Sequence, residues 1–186
     1  MSVYVSLLRG INVGGSKRLP MGTLRGIYTG LGFTNVCTYL QSGNVIFESR
    51  DVEQSILTAR IEAQIEQICA YHVEVFICQP HDLHGILTNN PFLNDRHADV
   101  NILYVTFLYQ PPTEAAWSRL TVSPDTSDEF ARGDMAIYLF LPNFYGKSRL
   151  SNNFFEKRLG VPTTVRNWNT VNAMYKMTQQ NQSPGG

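Results

Sequence analysis

A short apolar run near the start of the chain returns one hundred residues later. The two runs are residues 3–8 (VYVSLL) and 103–108 (LYVTFL), which share the tyrosine, the first valine after it and the final leucine. Both are rich in β-branched and apolar residues, a composition typical of buried strands. A repeat of this kind predicts two structural units of related design.

The residues after the first run predict the element order βαββαβ. Pro20 stands where a helix begins, and apolar residues then recur at helical spacing up to Gly32. Residues 36–40 and 44–48 predict two strands joined by a turn. An apolar stripe at helical spacing and a run at 73–78 predict a second helix and a closing strand. This order is that of a ferredoxin-like plait.

The second half of the chain repeats the pattern. A Gly133-Asp134 turn matches Gly43-Asn44, residues 150–159 predict a helix, and residues 169–177 predict one more. We therefore predict an α+β fold of two ferredoxin-like (βαββαβ) plaits that arose by internal duplication, with a C-terminal helix. The predicted domains are residues 1–90 and 99–178, joined within 88–99 and followed by a disordered tail at 179–186.

The composition excludes several classes of protein. The 186 residues are 43% hydrophobic and 16% charged, which excludes a disordered chain. No apolar run approaches the roughly 18 residues of a membrane span, and the first residues lack the pattern of a signal peptide. Three cysteines without a Cys-x-x-Cys pair agree with a reducing compartment. The expectation is a cytoplasmic protein with no membrane partner.

The net charge of zero hides a segregation of charge along the chain. Residues 1–47 carry four basic and no acidic side chains, and residues 147–186 carry six basic and one acidic. Residues 48–146 carry fourteen acidic and five basic. This block pattern predicts a basic surface built from the two ends of the chain.

One repeat carries a loop that the other lacks. Residues 9–20 join the first strand to its helix through a long, glycine-rich and basic segment, whereas residues 109–112 make the same connection in the second half. Long loops in compact domains are often functional. Gly14 and Gly15 permit positive φ, so that successive N–H groups can face an anion beside Lys17. The loop is not a P-loop, because Ser16-Lys17-Arg18 replaces Lys-[Ser/Thr].

Three further segments concentrate polar side chains. Residues 39–44 (YLQSGN) form a predicted hairpin, and such residues are also ordinary in turns. Residues 145–149 (YGKSR) open a helix, where backbone N–H groups and a lysine can hold an anion. Residues 166–170 (RNWNT) combine an arginine with a tryptophan that can stack on a ring, or that is buried beside a helix cap.

These segments predict a basic cleft between the two plaits that binds an anionic small molecule, a nucleotide or a phosphorylated metabolite. The predicted ligand-binding residues are Arg9, Asn12, Gly14, Gly15, Lys17, Gln41, Ser42, Asn44, Lys147, Ser148, Arg166, Asn167 and Trp168. The sequence assigns no catalytic residue, cofactor or oligomeric state, and it leaves open whether the protein is an enzyme. No metal site is predicted, because His81 and His84 lack further ligands nearby in sequence.

The same segments resemble a known family. Residues 8–15 (LRGINVGG), 38–45 (TYLQSGNV) and 164–170 (TVRNWNT), together with Lys147-Ser148, are similar to the domain-of-unknown-function 1697 family. The similarity extends from Val3 to about Met177. It implies a cytoplasmic, bacterial-type protein of two α/β plait subdomains, and it implies no established activity, substrate or cofactor.

Two other functions stay open. Plaits of this kind often bind RNA through the open sheet, although residues 44–47 lack the aromatic pattern of an RNA-recognition strand. A net charge of zero also argues against contacts with many phosphates of a nucleic acid. The second alternative is a protein-interaction scaffold without catalysis, in which the glycine-rich loop and Trp168 form an interface.

Overall fold

The apolar run at the start of the chain forms strand β1 (Ser2–Leu8), and residues 3–8 are buried on both faces of the strand. The structure is a computed structural model that describes residues 1–50 and 53–181. The chain divides into two units, each with its own sheet. Unit 1 consists of Met1–His84 and the chain from Ala173 onward, and unit 2 consists of Gly85–Asn172.

Unit 1 is built around a four-stranded antiparallel sheet. Its other elements are α1 (Met21–Gly30), β2 (Thr34–Tyr39), β3 (Asn44–Ser49), α2 (Gln54–Cys69), β4 (Val75–Cys78) and the first half of α3 (Pro80–Thr88). The strand order is β2-β3-β1-β4. In the register of this sheet, Val5 lies opposite Ile46 on one side and Cys78 on the other. The order of strands and helices is the one predicted for the first repeat.

Four aromatic rings fill the centre of the core that α1 and α2 cover. The ring centroid of Phe47 lies 5.7 Å from that of Tyr4, 5.2 Å from that of Tyr28 and 4.7 Å from that of Phe33. Tyr4, Tyr28 and Phe47 are fully buried. Burial of the Tyr28 hydroxyl raises its pKa, and Ser6 Oγ lies 2.6 Å from it. The polar atom in this core therefore has a polar partner.

Unit 2 has a second four-stranded antiparallel sheet. Its elements are α4 (Pro91–Asn94), β5 (Leu103–Leu108), α5 (Glu114–Ser118), β6 (Glu129–Arg132), β7 (Ala136–Phe140), α6 (Asn152–Leu159), β8 (Thr163–Asn167) and the start of α7 (Trp168–Asn181). The strand order is β6-β7-β5-β8. Short 3-10 turns occupy Val100–Ile102 and Tyr145–Lys147. The chain is thus mixed α+β with two four-stranded antiparallel sheets.

Two short helices were not predicted from the sequence. Helix α4 lies in the predicted junction, where Asn90 Oδ1 accepts from Phe92 N at 3.0 Å and Pro91 occupies the first turn. Helix α3 begins at Pro80, and Asp82 Oδ2 accepts from Gln79 N at 2.8 Å. Both are stabilised by capping contacts rather than by a long apolar stripe, so hydrophobic periodicity gives no signal for them.

The last helix extends beyond its predicted end. Helix α7 continues to Asn181 and therefore includes residues 179–181, which the sequence analysis places in the tail. The buried Thr178 and its hydrogen bond to Tyr175 O, at 2.6 Å, belong to this extension. The rest of the predicted tail, residues 182–186, lies outside the described residues.

Within residues 1–50 and 53–181, none of the helices combines the length and the apolar character that crossing a membrane requires. The three cysteines are free thiols. Cys78 is buried in β4, and burial raises the pKa of its thiol, which disfavours the nucleophilic thiolate.

Candidate functional site

Hydrogen bonds of Asn12 link the two polar loops of unit 1. Asn12 Nδ2 donates to Leu19 O at 2.9 Å within loop 9–20 and to Gln41 O at 2.8 Å in loop 40–43. Asn12 Oδ1 accepts from Leu19 N at 2.8 Å. The structure therefore brings the predicted residues of the first repeat into one assembly, which we call the two-loop assembly (residues 9–20 and 40–43).

The glycines of loop 9–20 form the tip of a small hairpin. Asn12 N donates to Lys17 O, and Ser16 N donates to Val13 O. Gly14 and Gly15 lie between them with φ of 59° and 80°. Two successive positive φ values are those of a type I′ turn, for which glycine is the favoured residue. The turn explains both glycines without a bound anion.

The basic side chains of this loop contact groups of the protein itself. Arg9 Nη1 lies 3.2 Å from Glu74 Oε2, and Lys17 Nζ donates to His72 O at 2.8 Å. Tyr71 Oη donates to Arg18 O at 2.9 Å, which holds the loop at its base, while the Arg18 side chain is exposed. Two of the three positive charges of the loop thus tie it to the chain around β4.

The predicted residues of loop 40–43 and β3 also have structural contacts. Asn44 is buried, and its Nδ2 donates to Tyr39 O at 2.7 Å and to Ser42 Oγ at 3.0 Å. Gly43 has φ of 75°, and a Cβ there would lie 2.7 Å from Ile11 Cδ1. Gln41 is exposed, so it is the polar side chain of this loop that faces solvent.

In unit 2, Ser148 connects two segments of the loop region. Its hydroxyl donates to Asp128 Oδ2 at 2.7 Å and accepts from Leu150 N at 2.9 Å. The neighbouring Lys147 is exposed at the end of a 3-10 turn. Ser148 therefore stabilises the conformation of the residues that lead into α6, and the Lys147 side chain is exposed to solvent.

The segment around Arg166 is largely buried. Arg166 is 8% exposed, and its Nη1 donates to Thr164 Oγ1 and to Val165 O, both at 2.8 Å. Burial lowers the pKa of Arg166 to about 10. Asn167 Oδ1 caps α7 by accepting from Thr170 N at 2.8 Å, and Trp168 is buried. A joint site of these residues with the two-loop assembly stays a prediction.

A groove that no sequence pattern predicts lies on unit 1, at the start of β1 and β2. We call it the arginine groove. It has a volume of about 280 Å³ and is lined by Met1, Leu31, Gly32, Phe33, Thr34, Ser49, Arg50 and Arg60. The guanidinium carbon of Arg60 lies 5.3 Å from the centroid of the buried Phe33 ring, and Arg60 Nη2 donates to Leu31 O at 2.8 Å. These contacts orient the Arg60 guanidinium at the groove.

The lining of the arginine groove is chemically suited to an anionic group. Its lining combines two arginines with Thr34 and Ser49, and the described residues that line it include no aspartate or glutamate. A guanidinium presents N–H donors in a fork that matches phosphate and carboxylate oxygens, and hydroxyls add further donors. The Thr34 hydroxyl also contacts Met1 Sδ at 3.4 Å.

A second and larger groove of unit 1 shares one lining residue, Met1, with the first. We call it the imidazole groove. It has a volume of about 560 Å³ and is lined by Met1, Ser2, Val3, Gln79, Pro80, His81, His84, Tyr175 and Gln179. The rings of His84 and Tyr175 pack with centroids 5.6 Å apart at 42°. His81 Nε2 lies 3.2 Å from Asp82 Oδ1. Met1 lines both grooves, so they are neighbours on unit 1.

Two histidines do not complete a metal site. Among the described residues, no group of three or more histidine, cysteine, aspartate or glutamate side chains is placed to hold a metal ion. The imidazoles of His81 and His84 are therefore better considered as ring and hydrogen-bonding groups than as ligands.

The arginines were missed because of where they lie in the sequence. Arg50 and Arg60 belong to the acid-rich block 48–146, whereas the pattern of charge predicts a basic surface at the ends of the chain. The available signal was their spacing: Arg50 follows a predicted strand, and Arg60 precedes Ile61 of the apolar stripe on the next helix. The fold brings both to the same groove.

Comparisons with known proteins identify a family and a similar solved structure. The family described as "Protein of unknown function (DUF1697)" has a model that matches residues 1–138. A solved structure of a conserved bacterial protein from Streptococcus pneumoniae is similar, with 25% sequence identity and a TM-score of 0.69. The similarity covers 95% of this chain and 98% of that one. No curated protein matches the chain. Neither description names a ligand or a reaction.

Proposed function

The chain belongs to the domain-of-unknown-function 1697 family, and on that premise we propose that it binds a small molecule carrying a phosphate or carboxylate group in the arginine groove. The observation that carries the proposal is that Arg50 and Arg60 line one groove whose described lining includes no acidic residue. Concave sites with a few convergent polar groups are the usual form of a small-molecule site. The proposal assigns binding and no reaction.

The guanidinium of Arg60 is held differently from the cations of the two-loop assembly. In the loops, Arg9 is paired with Glu74 and Lys17 with His72 O, and the glycines form a turn. An anion there would compete with these contacts. In the arginine groove, the Arg60 guanidinium is already oriented by Phe33 and Leu31, so less side-chain freedom is lost on binding.

The fold of each unit supports a further part of the proposal. We infer that the two sheets are ferredoxin-like plaits related by duplication. Their strand orders correspond, β2-β3-β1-β4 and β6-β7-β5-β8, and Tyr4 and Tyr104 occupy corresponding places on the central strands. The strand of unit 2 that corresponds to β3 is followed by residues 141–144 (LPNF), which include no arginine at the place of Arg50, so the proposed pair of arginines belongs to the first plait alone.

The alternative ligand is a nucleic acid, and salt dependence separates it from a small anion. A groove with two arginines contacts one or two phosphates, so we expect the slope of log K against log salt concentration to lie between about −1 and −2. A nucleic acid that follows a wider basic surface would give a slope several times steeper. A steep slope with short RNA, and no binding of small anions, would favour the alternative.

The experiment is calorimetric titration with inorganic phosphate, citrate and ribose 5-phosphate. Arg50→Gln removes one charge, and Arg60→Lys keeps the charge and removes the fork. Because hydrogen bonds to charged groups contribute about 1.5–3 kcal/mol, we expect Arg60→Lys to weaken binding by about tenfold or more. Arg119→Gln, an exposed arginine of unit 2, is the matched control and should leave binding unchanged. Equal affinity in all four proteins, or no binding of any of the three anions, would contradict the proposal.

A further inference from the structure

We infer that the ligand is a nucleoside monophosphate, with its phosphate in the arginine groove and its base in the imidazole groove. This inference rests on the proposed function and adds the chemical class of the ligand. Its starting observation is that the two grooves are neighbours on unit 1, because Met1 lines both. One groove is lined by cations and hydroxyls, and the other is lined by rings and carboxamides. A ligand that occupies both has an anionic end and a planar, polar end.

The imidazole groove offers ring faces to a planar group. His84 and Tyr175 come from different helices, α3 and α7, and their rings pack at a centroid distance of 5.6 Å. Both rings line the groove together with His81. Stacking of a base on an aromatic side chain tolerates any base, because every base has a π-face. This ring pair therefore favours a ligand with a heteroaromatic ring.

The other polar groups of the imidazole groove match the edge of a base. Gln79 and Gln179 line it, and each carboxamide carries two N–H donors and one carbonyl acceptor. The edges of nucleobases also alternate donors and acceptors. Gln179 Nε2 donates to Thr178 Oγ1 at 3.4 Å, and an aliphatic or purely aromatic ring offers no hydrogen bond to the remaining groups of the two carboxamides. The groove therefore suits a nucleobase better than an apolar ring.

Charge assigns the orientation of the ligand. In the imidazole groove, His81 Nε2 lies 3.2 Å from the carboxylate of Asp82, so any positive charge on His81 already has a partner. In the arginine groove, the described lining residues include two arginines and no acidic residue. A phosphate is therefore attracted more strongly to the arginine groove. The neutral base accordingly lies with His84 and Tyr175, and the phosphate lies with Arg50 and Arg60.

The test compares AMP, ribose 5-phosphate and adenosine by calorimetric titration of the full chain. Stacking on aromatic side chains typically strengthens binding by about five- to a hundredfold. We therefore expect AMP to bind at least about fivefold more tightly than ribose 5-phosphate. Arg60→Lys should weaken AMP and ribose 5-phosphate by the same factor and leave adenosine unchanged.

Variants of the ring pair separate a stacking role from a structural one. Tyr175→Phe keeps the ring and should retain the preference for AMP, whereas Tyr175→Leu should remove it and leave ribose 5-phosphate unchanged. His72→Gln, at an exposed histidine of unit 1 that does not line either groove, is the matched control. Melting curves of the four proteins establish that each is folded.

The outcomes distinguish the two proposals. Equal affinities of AMP and ribose 5-phosphate, both weakened by Arg60→Lys, would overturn the inference and leave the proposed function standing. A preference for AMP that persists in Tyr175→Leu would also overturn it. If neither phosphate compound binds, the inference is wrong, and the proposed function is wrong as well if inorganic phosphate and citrate also fail to bind. Tight binding of adenosine that Tyr175→Leu removes, with AMP no tighter, would retain the ring site and refute the phosphate site.

Discussion

Ser6 Oγ lies 2.6 Å from Tyr28 Oη in the core of unit 1, whereas Thr106, the corresponding residue of β5, has a buried hydroxyl with no hydrogen-bond partner among the described residues. Ser6 and Thr106 follow the same Tyr-Val pair on the central strands of their sheets. The hydroxyl at this position thus has a hydrogen-bond partner in unit 1 (Ser6) and has none among the described residues in unit 2 (Thr106). A buried polar atom without a partner costs free energy, so the two sites respond in opposite ways to loss of the hydroxyl.

Ser6→Ala should destabilise the protein, because it leaves the Tyr28 hydroxyl buried without its partner. We expect the free energy of unfolding to fall by about 1–3 kcal/mol, measured by urea denaturation. Adding Tyr28→Phe to Ser6→Ala removes the orphaned hydroxyl and should restore part of the loss. A double variant that is less stable than Ser6→Ala alone would contradict this account.

Thr106→Val should leave the protein as stable as before or stabilise it by about 1 kcal/mol. Valine has nearly the shape of threonine, and the substitution removes a hydroxyl that has no partner. Melting temperature and urea midpoint give the comparison, and Thr164→Val is the control. The Thr164 hydroxyl accepts from Arg166 Nη1, so its loss should destabilise. A clear loss of stability in Thr106→Val would mean that this hydroxyl has a water partner.

Asn12→Ala should loosen the two-loop assembly and destabilise the protein by about 2–4 kcal/mol. It removes two donated hydrogen bonds and one accepted hydrogen bond, at about 1 kcal/mol each, from a residue with φ of 56°. Limited proteolysis within residues 9–20 should become faster.

The control for this prediction is Asn35→Ala. Asn35 has a similar φ of 50° and is exposed. Its substitution imposes the same backbone strain without breaking the link between the loops. Equal destabilisation of the two variants would show that backbone strain alone accounts for the effect and that the hydrogen bonds of Asn12 between the loops do not stabilise the protein.

Stability at acidic pH should depend on Glu129. The Arg96 guanidinium donates two hydrogen bonds to it, both at 2.9 Å, and this contact lowers the pKa of Glu129 below its ordinary value of 4.5. A carboxyl whose pKa is lower in the folded state stabilises the fold above pH 4.5. That contribution is lost as the pH falls through the lowered pKa.

Melting temperatures of wild type and Glu129→Gln between pH 3 and 7 test this prediction. The two curves should differ by a small amount above pH 5, because both side chains are half-exposed, and should converge toward pH 3. Glu53→Gln is a control for removal of an exposed carboxylate. Curves that stay parallel down to pH 3 would mean that the ion pair makes no pH-dependent contribution.

The sequence predicts the regular part of the fold because that part depends on periodic burial. The repeated strand at β1 and β5, the helix ending before Gly32 and the turn at Gly43 are all local patterns, and they agree with the structure. The family resemblance is confirmed. Helices α3 and α4 were not predicted, because a few capping contacts define them.

The candidate site was harder to predict, for physical reasons. A polar side chain such as Asn12 or Lys17 has the same appearance in a sequence whether it binds a ligand or a backbone carbonyl of its own chain. Here their hydrogen bonds go to Leu19 O and His72 O. Arg50 and Arg60 become neighbours at one groove only through the packing of α2 beside the sheet, which no local pattern reports.

Helix α7 has a consequence for the synthesis of the protein. The segment of α7 from Ala173 onward belongs to unit 1, although all 88 residues of Gly85–Asn172 are translated in between. At about 5–20 residues per second, the ribosome takes roughly 4–18 seconds to cross that interval. During this time, the nascent first unit has its complete sheet but lacks Tyr175 and Gln179. The nascent chain therefore acquires the last residues that line the imidazole groove only after the whole of unit 2 has been translated.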